Sequence, residues 1–133
     1  MSTAVMLDLP EVLYERLASA AKATQRPLTE ILLQALRVGS PPDWEDVPAE
    51  MQAEISVLDR LDDDALYRIA RERWSQVDVD RYDVLLSKKE QASLSDSEQS
   101  ELARLRETHD RLLLRKAHAA ALLKWRGRLV PSP

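Results

Sequence analysis

Between Thr3 and Arg37 the apolar period changes, and that change limits the folds open to this chain more than any other feature. Val5, Leu7 and Leu9 alternate at the two-residue period of a half-buried strand. Pro10 ends the alternation, and Leu13, Leu17, Ala20 and Ala21 then recur at helical spacing. Thr24-Gln25-Arg26-Pro27 breaks that helix, and a second helical stripe follows through Leu28, Ile31, Leu32, Ala35 and Leu36. One strand and two short helices have too little interior to bury their apolar faces alone. A lone strand also leaves a row of N–H and C=O groups unpaired. The simplest remedy is a second copy of the chain, strand against strand.

The rest of the sequence reads as helix. With only two glycines in 133 residues, few positions favour a positive φ, so long helices are expected. Val38-Gly39-Ser40-Pro41-Pro42 marks a boundary, because Gly39 suits the position just past a helix end and two prolines forbid continuation. An acidic, proline-containing linker over residues 39–47 leads to a helical extension over 48–128 and a tail over 129–133. Four helices are expected in the extension. Pro48 opens one that runs to about Arg60, with Met51, Ile55 and Leu58 on one stripe. Ala65 to Trp74 and Val79 to Gln91 supply two more. The longest starts at Ser95, where Ser95 and Glu98 fit a capping box, and closes at Gly127. Its second half is apolar on several sides (Leu112, Leu113, Leu114, Ala117, Ala120, Ala121, Leu122, Leu123, Trp125), the pattern of a helix covered by more than one neighbour.

The opening segment resembles a known family. LDLP (Leu7 to Pro10), the helix LYERLASAAK and the helix LTEILLQALR resemble the ribbon-helix-helix family of small bacterial repressors and antitoxins, over roughly residues 3–38. The resemblance implies a homodimer whose two strands form an antiparallel ribbon that lies in the DNA major groove. On that pattern Ala4, Met6 and Asp8 are the outward-facing DNA-binding positions, and Arg26 stands beside the phosphate-holding start of the second helix. Their chemistry weakens the expectation. Ala4 has no hydrogen-bonding side chain, Met6 offers a weak acceptor, and Asp8 repels phosphate although it can accept from cytosine. Pro27 also removes one N–H from the anion site. The dimer scaffold is expected to persist, with DNA binding in doubt. The run ELARLRETHDRLLLRKAHAAALLKWRG, and with it most of the chain, is similar to uncharacterised small bacterial proteins of cyanobacterial type. Some of these sit beside genes for small HNH-type nucleases, which implies a toxin-like protein partner.

Charge is unevenly distributed. The whole chain carries a formal net charge of −4, and residues 1–38 balance four bases with four acids. Residues 39–66 hold nine acids against Arg60 alone, whereas residues 101–133 hold eight bases against three acids. Arg104, Arg111, Arg115 and His118 fall on one stripe of the last helix. Three readings stand for it: a solvated face with i, i+4 partners such as Glu107–Arg111, a contact with the acidic middle or an acidic protein, or a nucleic-acid or membrane contact. Trp44, Trp74 and Trp125 are either core or interface anchors, and Trp44, set among Pro, Asp and Glu, is the best interface candidate. Trp125 joins it as a candidate on the last helix.

The catalytic readings are thin. Asp62-Asp63-Asp64 is either a cation ligand or, more simply, an N-cap with acids on the helix dipole. His109 and His118 fall on different faces of one helix, which argues against a shared metal. No cysteine supplies a disulfide, thiolate or nucleophile. No serine sits in a nucleophile elbow, and no glycine-rich loop is present to cradle phosphate. No cofactor, metal or catalytic residue is expected, and the chain is not read as an enzyme. No apolar run approaches the roughly 20 residues that span a bilayer, and Met1-Ser2 leads straight into the strand pattern, so a cytoplasmic protein without a signal peptide is expected. The expected fold is mostly α: a ribbon-helix-helix dimerisation domain over 1–38, then the four-helix partner-binding extension. The expected function is an antitoxin-type or transcription-regulating homodimer that uses its ribbon on operator DNA and its extension on a protein partner. The alternative is an adaptor or assembly protein that keeps the scaffold only for dimerisation.

Overall fold

The computed structural model describes residues 1–45 and 47–130, and within them the fold is six helices with no strand. The helices are α1 (Glu11–Thr24), α2 (Leu28–Val38), α3 (Ala49–Leu58), α4 (Asp63–Ala70), α5 (Gln76–Glu90) and α6 (Asp96–Trp125). The expected ribbon-helix-helix strand is therefore corrected: residues 1–10 form no strand, and a ribbon is not part of the fold. The alternation of Val5, Leu7 and Leu9 spans five residues, and this chain offers it no partner strand. Val5, Met6 and Leu7 remain exposed, and only Leu9 is partly covered. A two-residue period without a ladder partner specifies nothing more than extended chain.

The chain divides into two compact units, Met1–Ser40 and the part from Pro41 onward. The first is the α1–α2 pair. Pro10 fixes the entry to α1, and Glu11 and Lys22 sit where the helix dipole favours an acid and a base. α1 stops at Gln25, which takes up a left-handed φ of 53°; the Arg26 N–H then bonds the Ala21 carbonyl at 3.0 Å. Such a turn usually carries glycine. Ala21 and Ile31 are the buried side chains of this pair.

The second unit has a core. Met51, Ile55 and Leu58 of α3, Leu66 and Ile69 of α4, and Ala119, Leu122 and Leu123 of α6 pack together with Val47. Val47 belongs to this core rather than to a free linker; Asp46, in the same linker, lies outside the described residues. α3, α4 and α5 each pack on α6. That is why α6 is apolar on several sides: it has several neighbours to satisfy.

Caps set the helix ends. The Asp62 carboxylate accepts from the Ala65 N–H at 2.8 Å and starts α4. Ser75 caps α5 through the Asp78 N–H at 3.2 Å. At α6 the capping box is complete: Ser95 Oγ accepts from the Glu98 N–H at 3.2 Å, and the Ser95 N–H donates to Glu98 Oε1 at 3.1 Å. Gly127, at φ 81°, follows the helix, and the Arg128 N–H closes it on the Leu123 carbonyl at 2.9 Å. Leu129 of the expected tail is tied back, its carbonyl accepting from the Tyr67 hydroxyl at 2.8 Å. Residues 131–133 of that tail lie outside the described residues.

Candidate partner interface

Of the four positions expected to touch DNA, three lie on the segment ahead of α1 and the fourth between α1 and α2. Ala4, Met6 and Asp8 are exposed on the segment ahead of α1, and no ladder fixes their spacing. Arg26 is engaged elsewhere. Its Nε donates to Glu30 at 3.1 Å and its Nη1 to Gln34 at 2.7 Å, so its guanidinium lies along α2. Both Pro27 and Glu30 disfavour an anion at the start of that helix.

The basic end and the acidic middle of the sequence meet within the second unit. Arg115 of α6 reaches Glu54 of α3 at 3.4 Å and Glu72, just beyond α4, at 3.8 Å. Arg111 lies 3.8 Å from Glu54 and 3.7 Å from Glu107 on its own helix. His118 is buried against α3, with its Nε2 3.0 Å from Asp59 Oδ1. Arg126 donates to the Leu61 carbonyl at 2.8 Å, to Asp63 at 3.0 Å and to the Asp59 carbonyl at 3.2 Å. Arg128 adds a 2.7 Å bond to the other Asp63 oxygen. The Arg126 guanidinium, joined by Arg128 and opposed by burial, lowers the Asp63 carboxyl below its ordinary value. Arg111 and Arg115 thus share Glu54 and His118 meets Asp59, while Arg104 stands apart, exposed near Glu101.

A second set of ion pairs clamps α5 to α6. Arg81 makes a bidentate contact with Glu101 at 2.7 to 3.0 Å, and Lys88 reaches Glu98 at 2.6 Å. Lys88, together with the Ser95 backbone N–H, brings the Glu98 carboxyl down to about 2. Arg81 lowers Glu101 in the same way. The sequence separations, 20 and 10 residues, put these pairs beyond any local rule. Nothing in the sequence singled them out, nor Arg126.

The aromatic groups divide. Trp74 is packed, with its ring stacked on His109 at 4.5 Å and edge-on to Tyr82 at 5.3 Å. His109 is accordingly a half-buried seam residue. Trp44 and Trp125 are exposed. Asp62 and Asp63 are taken up by a helix cap and by arginines, and no group of three or more His, Cys, Asp or Glu among the described residues is placed to hold a metal. No helix among the described residues is long and apolar enough to cross a membrane.

The first unit carries an uncovered apolar surface on both of its helices. Val12, Leu13 and Tyr14 of α1 and Leu33, Leu36 and Val38 of α2 are all exposed. On α2, Leu33 and Leu36 lie one turn apart on the side away from buried Ile31, and partly covered Leu32 flanks them. An amphipathic helix in a self-sufficient pair would carry polar residues on that outward side. Comparison with protein-family models, with curated proteins and with solved structures gave no match for this chain.

Proposed function

We propose that the protein is a non-catalytic, self-associating partner-binding protein, an adaptor or antitoxin-type neutraliser. Its α1–α2 unit pairs with a second copy through helix faces, and its second unit holds a protein partner. One observation carries the reading: the α1–α2 pair buries Ala21 and Ile31 but leaves Leu13, Leu33 and Leu36 uncovered. A second copy is the natural cover, because the unit balances four bases with four acids and two copies meet without net repulsion. A symmetric pair also uses the same patch twice. The DNA-reading version loses its support with the ribbon and with Arg26 tied along α2. That leaves the adaptor reading ahead of the regulator.

Two measurements on the full chain test this. Sedimentation is expected to give twice the 15.1 kDa single-chain mass. Co-expression with the product of an adjacent gene, in particular a small HNH-type nuclease, is expected to yield a stoichiometric complex. A single-chain mass with a folded protein, or salt-sensitive binding to the neighbouring promoter DNA without any protein complex, overturns the proposal.

A further inference from the structure

Pro41, Pro42 and Trp44 line an open groove of about 490 Å3, edged by Asp43, Glu45 and Asp59. Local chemistry presents the indole rather than hiding it. Two consecutive prolines stiffen the approach. The Asp43 carboxylate accepts from the Glu45 N–H at 3.2 Å, and the Trp44 carbonyl accepts from the Val47 N–H at 2.9 Å. Val47 is buried in the core, so the turn that bears the indole is anchored on its far side, and Trp44 stays 38% exposed.

Charge decides what fits. Several carboxylates near α6 are matched there: Glu54, Asp63 and Glu72 each face an arginine, and Asp59 faces His118. Asp43 and Glu45 have no basic partner among the described residues, so their charge faces outward beside the indole. An indole face attracts cations. Carboxylates on either side add to that attraction and repel phosphate or an acidic protein. Proline walls give the methylene stem of a long basic side chain an apolar bed. A planar guanidinium suits the indole best, since it stacks as well as attracts.

We propose that this groove takes an arginine-bearing segment of a basic partner protein, with the guanidinium over Trp44 and between Asp43 and Glu45. The inference rests on the partner-binding reading of the second unit and gives it a place and a chemistry.

The indole N–H resonances of the isotopically labelled full chain test it. There are three tryptophans, and Trp44→Phe identifies the resonance to follow. Titration with the peptide Gly-Arg-Gly-Arg-Gly is expected to move the Trp44 resonance and leave those of Trp74 and Trp125 in place. The glutamate counterpart is expected to move none. Asp43→Asn with Glu45→Gln is expected to weaken the arginine peptide by roughly fivefold at the Trp44 resonance, and Trp44→Leu to weaken it as much when followed at the Glu45 backbone N–H of the labelled chain. A Trp44 resonance that stays put at millimolar peptide, responds equally to the glutamate peptide, or binds arginine amide as tightly as the peptide overturns the proposal; so does unchanged affinity in both variants. Sedimentation of the same samples reports self-association separately. A dimer that ignores the peptide refutes only this inference, and a monomer that binds it refutes only the helix-face pairing.

Discussion

Replacing Leu36 with glutamate is the sharpest perturbation of the α1–α2 surface. Leu36 is 59% exposed and Leu33 beside it 46%. Fully burying a leucine is worth about 1.5–3 kcal/mol, so roughly half of that remains to be gained at each site when a second copy closes over it. In a two-fold pair every substitution acts twice. Leu36→Glu therefore removes about 2–3 kcal/mol of apolar burial from the dimer. It also places two carboxylates on the seam, and their loss of water costs at least as much again. A total near 4 kcal/mol corresponds to about a thousandfold in the dissociation constant. Sedimentation velocity across the micromolar range is expected to show wild type at twice the single-chain mass and Leu36→Glu as single chains. Leu36→Met, which keeps the apolar volume, is expected to behave as wild type. Far-ultraviolet circular dichroism should be unchanged in both, because Leu36 contributes little to the interior of its own unit. A Leu36→Glu protein that stays paired, or a wild type that sediments at 15.1 kDa throughout, refutes the reasoning.

Two further outcomes follow from the second unit. Glu98 is lowered from 4.5 to about 2 by Lys88 and the Ser95 N–H, and Glu101 and Asp63 are lowered by arginines. Folded values below the unfolded ones stabilise the protein above the ordinary carboxylate range, and that stabilisation is lost as the pH falls through the folded values. The thermal midpoint is thus expected to decline between about pH 4.5 and 2, and Lys88→Met to flatten the decline; a midpoint insensitive to pH in that window contradicts the clamp. Arg126→Met leaves the Leu61 and Asp59 carbonyls without their donor and is expected to cost about 1–3 kcal/mol by urea denaturation. An unchanged midpoint would show that those bonds are replaced by water without loss.

What the sequence revealed depended on how chemically specific each signal was. Ser95, Glu98 and Gly127 bracket α6 because a capping box and a left-handed glycine have few other uses. Asp62 was readable as a cap for the same reason. The strand was not readable, since three alternating apolar residues describe an extended chain as well as a ladder, and only a partner distinguishes the two. The start of α5 fell earlier than the first inward apolar residue, because Ser75 caps it while Val77 in its first turn points outward and is exposed. The charge imbalance between residues 39–66 and 101–133 was visible, yet the pairing of Arg115 with Glu54 or Arg126 with Asp63 is not, because those partners lie more than sixty residues apart. The stacking of Trp74 on His109 likewise depends on how α6 passes the end of α4, which no local pattern encodes.

That α3, α4 and α5 all lean on α6 has a consequence for how the protein is made. The ribosome delivers the support last. From the completion of α3 at Leu58 to the appearance of Trp125, translation needs roughly 3–13 s at about 5–20 residues per second. Until then Ile55 and Leu66, which end fully enclosed, lack the α6 side chains that complete their core. The nascent chain passes through a period of open greasy surface, while α1–α2, complete long before, is already free to make the proposed pairing with another copy.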